Sequence, residues 1–419
     1  MPTPIQSQSA PILSGAHRNG QVYLDHAATH PTLPVAIEAM VAQLERGGNP
    51  SAINTRGRSA RRVLEESRDR IAAAVNVDPV EVIFTSGGTE ADNLAVKGLY
   101  HQRHGQDSRR VRIIVSAVEH PAVTETAEYL HSAHGAHVEY LPVDSQGFTS
   151  PQSLRELLEA DPDTVALVAV MWANNEIGTV QPIAELAAVC NEYGIPLHVD
   201  AVQALGAVPV DAGLPGIATV AVSGHKLGAP VGSGALVVGR SVTLTPTIHG
   251  GGQQRSMRSG TLDAAGAAAF AAAVEAVTSD LPGESERIAT LRDTLIRGVR
   301  QVVPEAVLRG PEDFDHAGRR LPNNAHFTFP GCEGDSLLFL LDGAGIATST
   351  GSACSAGVPR PSKVLLALGL DEDTARGAQR FTLGHGSTEH DVDSLLAVLP
   401  EVYQRAKSAG MAGQVSSLS

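Results

Sequence analysis

Lysine is scarce in this chain. Only four of its 31 basic residues are lysine, at 97, 226, 363 and 407, and arginine supplies the other 27. Cysteine is scarcer still: three in 419 residues cannot build a disulfide framework, which points to a reducing compartment, the cytoplasm. Aromatic residues make up 4% of the chain, with a single tryptophan, so Ala, Val and Leu must fill the cores. Positive charge is in deficit. A formal net charge of −14 argues against nucleic acid as a direct partner, because phosphate binding needs a basic face. Long hydrophobic runs are missing too: the most apolar stretch, 266–277, is too short to span a bilayer and carries Glu275. The first twenty residues are polar and proline-bearing, without the apolar region of a signal peptide. A soluble protein with no membrane partner is expected.

What is present is an alternation. The chain exceeds the size at which single cores usually divide, so two domains are expected. Apolar runs such as "EVIF" (81–84), "VRIIVSA" (111–117), "TVALVAVMW" (164–172), "IPLHVDA" (195–201) and "ATVAVSG" (218–224) are interleaved with helix-like segments. Short continuous apolar runs predict strands covered on both faces, and their alternation with helices predicts an α/β fold with a mostly parallel sheet. Ligands of such sheets bind beyond the carboxyl ends of the strands. Beyond about 280 the texture changes to a long helical pattern followed by "AHFTFPG", "SLLFLLDGAG" and "RFTLGHGS", which predicts a smaller α+β domain. The organisation expected is a flexible N-terminus over 1–20, a large domain over 21–280, a small domain over 281–404 and a flexible tail over 405–419. Within the large domain, 21–29 is the part expected to pack with the small one.

Three features converge on one chemistry. "TSGGTEADN" (85–93) sets Gly87, Gly88 and Thr89 between a strand and a helix start, where free N–H groups and the helix dipole favour an anion. A plain tight turn capped by Thr89 would read the same way. Asp200 ends the apolar run of "PLHVDAVQALG" (196–206); a carboxylate there needs a cation or hydrogen-bond donors, or else serves as a helix cap. Lys226, in "SGHKLGAP", stands where another apolar run enters a glycine-rich loop between Ser223 and His225. A desolvated lysine amine forms Schiff bases with aldehydes, whereas an ordinary one points to water. A phosphate turn, an acid and a lysine are the three contacts that pyridoxal 5'-phosphate needs.

The stretches "YLDHAATHP", "FTSGGTEADNLAVKG", "VEHPAV", "NNEIGTVQPI", "HVDAVQALG", "SGHKLGAPVGSGAL", "HGGGQQRSMRSGT", "STGSACSAG" and "RFTLG" resemble the cysteine desulfurases of the PLP-dependent class V aminotransferase group, in the branch that serves iron–sulfur clusters. The resemblance covers roughly 23–399. It implies the fold type I architecture of PLP-dependent transferases, with Lys226 anchoring the cofactor, Asp200 pairing with its ring nitrogen, and Gln203 and Asn175 facing its phenolic oxygen and the substrate. His120 is implied to stack on the ring and to move protons. Gly88, Thr89, Ser223 and His225 are implied to hold the phosphate, and Thr261 to reach the phosphate of the other subunit of a homodimer. Arg380 matches the arginine that clamps the substrate carboxylate. Cys354, in "STGSACSAG", is implied to take sulfur from L-cysteine as a persulfide and pass it to acceptor or scaffold proteins, leaving L-alanine. A selenocysteine lyase or another class V enzyme working without the thiol is the alternative. Cys190, on an amphipathic helix, reads as a core residue, and Cys332 as a turn residue. Two departures from the pattern stand out: Asn54 where many relatives have histidine, and Gln254 where glutamate is usual. His131, His134 and His137 read as a helix end closing at Gly135 rather than as a metal site.

Overall fold

The computed structural model describes residues 21–351 and 361–416, so the 1–20 segment and Cys354 lie outside it. In chain order, β1 (Val22–Tyr23) is followed by helices α1 (Pro34–Arg46) and α2 (Thr55–Ala74). Then come β2 (Val82–Thr85), α3 (Gly88–Gln106), β3 (Arg112–Ser116), α4 (Pro121–His134) and β4 (His137–Leu141). Next are α5 (Pro151–Ala160), β5 (Val165–Ala169), α6 (Ile183–Glu192), β6 (Leu197–Asp200), β7 (Ile217–Ser223) and β8 (Gly234–Val238). These strands form one seven-stranded sheet in the order β2-β8-β7-β6-β5-β3-β4. Only β8 runs against its neighbours, pairing antiparallel with β2 and β7, so the other six strands share one direction. The α/β fold with a mostly parallel sheet is therefore the observed one.

Both faces of this sheet are buried, which is why its strands read as unbroken apolar runs. On β3, Ile113 and Val115 join a cluster with Leu94, Tyr100, Val123 and Leu130 of α3 and α4. The intervening Ile114 joins Leu186, Cys190, Phe270 and Val274 on the opposite side. The shortage of aromatics is met by α7 (Ala264–Thr278), a helix of mostly alanine buried nearly all round, capped by Asp263, whose carboxylate accepts from Ala265 and Gly266 N–H. Small side chains let it pack closely against α1 and α2.

After α7 the chain bends by 71° into α8 (Leu281–Val302). No single described helix is long and apolar enough to cross a membrane. Beyond the bend follow β9 (Val307–Arg309), β10 (Asn324–Thr328), α9 (Gly334–Gly343), β11 (Ile346–Ala347), α10 (Lys363–Ala367), α11 (Glu372–Arg376), β12 (Ala378–Thr382) and α12 (Glu389–Ser416). An antiparallel sheet, β12-β10-β9, gathers its own core of Leu295, Phe327, Phe381, Leu395 and Tyr403. From the other end of the chain, β1 pairs in parallel with β11. The tail expected from 405 differs from the structure, which continues α12 to Ser416. Its Ala, Gly and Ser content reads as a frayed end, but Ala406 is buried and Lys407 Nζ donates to Tyr403 Oη at 3.0 Å, so tertiary contacts hold this turn.

One close approach shapes the edge where the strands end. Gly234, on β8, lies so near the glycine turn after β2 that a Cβ there would sit 2.6 Å from Gly87 Cα. Gly234→Ala is expected to destabilise the fold by about 1–3 kcal/mol and to displace the turn, seen as a lower denaturation midpoint together with weaker phosphate-ligand binding.

Candidate active site

The carboxyl ends of the parallel strands open onto one cavity of about 270 Å³, lined by Gly88, Thr89, His120, Asn175, Asp200, Gln203, Ser223, His225 and Lys226 among others. Each arrives at the end of an element. Gly88 opens α3, and Glu90 in its first turn reaches back to accept from Ser86 N–H at 2.8 Å, which tightens the turn. Thr89 is exposed at the rim, Ser223 is buried at the end of β7, and His225 Nδ1 lies 3.2 Å from Thr29 Oγ1.

Asp200 ends β6 and is 5% exposed; its Oδ1 accepts from Val202 N–H at 2.9 Å. Burial pushes its carboxyl up to about 7, and the nearby Asp92 adds to the rise. This is a buried acid short of positive charge. Lys226 closes a single 3-10 turn after β7 and donates to the carbonyls of Ala27 and Ala28 at 2.5 and 2.7 Å. Burial and the guanidinium of Arg380 pull its amine down to about 8, against the opposing pull of Asp25 and Asp200. The Ala27 carbonyl also accepts from Gln203 Nε2 at 2.9 Å.

His120 caps α4: its Nδ1 accepts from Ala122 N–H at 3.1 Å. Burial holds its imidazole below the usual histidine range, with Lys226 adding and Asp200 opposing. A neutral ring accepting at Nδ1 carries its proton on Nε2.

Arg380, on β12, is buried and bridges the small domain to the sheet. Its Nη1 donates to the Asn175 carbonyl and its Nη2 to Asp25 Oδ1, both at 2.8 Å, while the buried Nε has no hydrogen-bond partner among the described residues. Donor capacity therefore remains for a further anion.

Nine of the expected site residues thus line one cavity and Arg380 adjoins it through Asn175. Thr261 is exposed in the loop before α7 and is not among the cavity's lining residues. Cys354 falls outside the described residues. Both described cysteines are buried: burial pushes the Cys190 thiol up to about 12 and the Cys332 thiol up to about 11. Cys332 closes the expected turn, its N–H donating to the Phe329 carbonyl at 3.2 Å, and its side chain is buried in the small-domain core. The departures are absorbed locally. Asn54 Oδ1 caps α2 by accepting from Gly57 N–H at 2.9 Å, and Arg255 Nη1 donates to the Val238 carbonyl at 3.1 Å. At the end of α4, Gly135 closes the helix with φ 71°, and among the described residues no group of three or more His, Cys, Asp or Glu could hold a metal.

Sequence reasoning missed the half-buried Asp25, which orients Arg380, and the buried Asp92, Glu119 and His198, which surround Asp200. Spacing carried part of the signal. Asp92 lies one helical turn after Gly88, and His198 shares a strand face with Asp200.

These residues fit pyridoxal phosphate. A Cβ at Gly88 would sit 2.8 Å from Val202 Cγ2, so only glycine leaves the backbone at the start of α3 open to an anion. Asp200 offers a buried carboxylate suited to a protonated ring nitrogen, and Lys226 an amine with depressed basicity.

Residues 22–395 match the Aminotransferase class-V family, and the chain belongs to it. Among its relatives is an IscS-like cysteine desulfurase of Mycobacterium tuberculosis, 51% identical over 395 residues, or 94% of this chain and 99% of the relative. Among solved structures, a NifS-like protein superposes with a TM-score of 0.83 at 33% identity, covering 92% of this chain and 99% of its own. A structure of SspA in complex with cysteine gives a TM-score of 0.72 at 31% identity, covering 86% and 98%.

Only the neutral amine of Lys226 attacks an aldehyde. Its reaction with pyridoxal phosphate is therefore expected to speed up as pH rises through about 8 and to level off above. Stopped-flow absorbance of the cofactor-free protein checks this; a midpoint near the ordinary lysine value would contradict the desolvation.

Proposed function

We propose that the protein is a pyridoxal-phosphate-dependent cysteine desulfurase that takes sulfur from L-cysteine, releases L-alanine and hands the sulfur to acceptor proteins from a persulfide on Cys354. The observation that carries this reading is the single cavity into which the Gly88 turn, Asp200 and a low-pKa Lys226 converge. The chain's membership of the Aminotransferase class-V family and its 51% identity to an IscS-like cysteine desulfurase support it.

Gly88, Thr89, Ser223 and His225 are the groups to hold the phosphate, Asp200 the ring nitrogen, and Gln203 and Asn175 the phenolic side. When bound, the cofactor supplies a carbonyl carbon for amines and a ring that draws electrons from the substrate's α-carbon. Lys226 Nζ, neutral in part near pH 8, would take the α-proton of L-cysteine and hold it for return. His120, its ring held by the α4 cap with the proton on Nε2, is a second group in the cavity able to move protons. Arg380 binds the substrate carboxylate, kept in place by Asp25 and the Asn175 carbonyl. The balance is simple: the Cβ–S bond of L-cysteine breaks, an S–S bond forms at Cys354 Sγ, and the carbon takes up the proton from the thiol. Cys190 and Cys332, buried as high-pKa thiols, are unsuited to that attack.

A homodimer belongs to the same reading. Ile37, Val41 and Leu44 make an exposed apolar stripe on α1, and Ile53 and Val231 are also exposed. A second copy would cover this surface and bring Thr261 to the partner's phosphate site.

Incubation with L-cysteine is expected to yield equal alanine and transferable sulfur, with mass spectrometry placing the extra sulfur on Cys354. Cys354→Ala should abolish the persulfide; sustained turnover without it would favour a lyase that works without the thiol. Lys226→Ala should leave the protein inactive. Arg380→Lys, which loses the bidentate clamp, is expected to raise KM for L-cysteine about 10–100-fold, the value of one or two charged hydrogen bonds.

A further inference from the structure

Lys226 faces two cavities. Besides the one that forms the proposed cofactor site, it lines a second, of about 40 Å³, between the large and small domains. His30, Glu284, Ser285, Asn323 and His385 are among the other residues around it. A polar cavity of this size has room for a few waters, each taking about 10–15 Å³.

Across this cavity from Lys226 stands a histidine held by a carboxylate. Glu284 lies in the first turn of α8, where a helix N-terminus favours negative charge, and its side chain is 20% exposed. Burial opposes its charge, but hydrogen bonds from Arg287 and His385 outweigh burial and hold the carboxyl down to about 2. Arg287 donates from Nε and Nη2, each at 2.7 Å. An ionised carboxylate only accepts, so in the 2.9 Å contact it is His385 Nδ1–H that donates. The neutral ring then keeps its lone pair on Nε2. This is how a base is prepared: the carboxylate fixes the tautomer and stabilises the imidazolium that forms. The His385 side chain is 14% exposed, so a proton that reaches it can pass on to bulk water. The neighbouring histidines do not compete for that proton. Burial takes His26 down to about 3 and His30 well below the usual histidine range, and their Nδ1 atoms meet at 3.3 Å. Burial, with Lys226 adding, holds His225 down to about 4.

We propose that the Glu284–His385 pair exchanges the proton carried by Lys226 with solvent, through water in this second cavity, while substrate fills the first. An N–H bond of the Lys226 ammonium breaks as a water O–H bond forms. That water gives up a different proton to His385 Nε2, and the ring passes it to bulk water. The reverse sequence loads Lys226 again, and no other reactant is needed. The hydrogen that Lys226 returns to the substrate carbon therefore comes from water rather than from the α-position of L-cysteine. His385 and Glu284 act through Lys226 and touch no substrate. The inference rests on the part of Lys226 in the proposed desulfurase reaction. A pair that merely tied the two domains together would leave the origin of that hydrogen unchanged.

Full-length protein loaded with pyridoxal phosphate is given L-cysteine deuterated at the α-carbon, and mass spectrometry reads the deuterium left in L-alanine. Wild-type protein is expected to retain almost none. His385→Gln keeps a hydrogen bond to Glu284 but supplies no base. It is expected to unfold at the wild-type temperature and to make alanine. Its alanine should retain up to about a third of the label, because a lysine ammonium carries three equivalent hydrogens. Glu284→Gln, whose amide no longer fixes the tautomer, should move retention in the same direction, and it decides if His385→Gln does not fold. Equal retention in wild type and variants overturns the proposal. So does a folded His385→Gln that makes no alanine, since Lys226 is still in place. A second readout needs neither cofactor nor turnover: nitrogen NMR of isotope-labelled histidine in the cofactor-free protein is expected to show His385 as the Nδ1–H tautomer, its signal assigned by its loss in His385→Gln. An Nε2–H tautomer there leaves no base facing the cavity and sinks the idea. Wild-type protein that makes no alanine overturns the desulfurase reading itself, a failure visible before any variant is compared.

Discussion

A carboxylate taken out of water without a full complement of partners is the constraint on which this site depends. Asp200 ends a fully buried strand with a backbone N–H as its hydrogen-bond donor among the described residues, and burial alone would favour its protonated form. Such a group costs stability unless a cation arrives. In the proposed cofactor site a protonated ring nitrogen would be that cation, so binding and relief of the buried charge would be one event. The same desolvation lowers the basicity of Lys226. One physical cause thus prepares both an acid that wants a cation and an amine that is ready to react.

The fold produces this desolvation by making the sheet edge narrow. Six strands in one direction bring their carboxyl ends together, and β8, the reversed strand, closes against β2 through the contact of Gly234 with Gly87. Helices cover both faces, with alanine-rich α7 filling the role that aromatics play elsewhere. The small domain then supplies Arg380 from the side, and the N-terminal segment supplies Asp25 together with the carbonyls that hold Lys226. The site is complete only where these segments, distant in sequence, meet.

The cysteines divide along the same line. Cys190 and Cys332 are enclosed by apolar neighbours, and their thiols resist ionisation. Nucleophilic sulfur chemistry needs a thiolate, so neither described cysteine competes with the role proposed for Cys354.

Much of this was legible in the chain. Unbroken apolar runs ending in Gly88, Asp200 and Lys226 announced parallel strands and the residues at their ends, because burial on both faces leaves a local, readable pattern. The helical end of the chain was not, since alanine and glycine read as a tail until Ala406 and Tyr403 are seen packed against the small-domain core. Nor could the partners be read: Arg380 and Asp25 lie 355 residues apart, and His198 and Asp92 lie 106 apart. Sequence by itself determined which chemical groups stand at the strand ends. Tertiary structure alone decided how dry those groups are and which charges face them, because desolvation and Coulomb energy depend on distances that only the folded chain brings about.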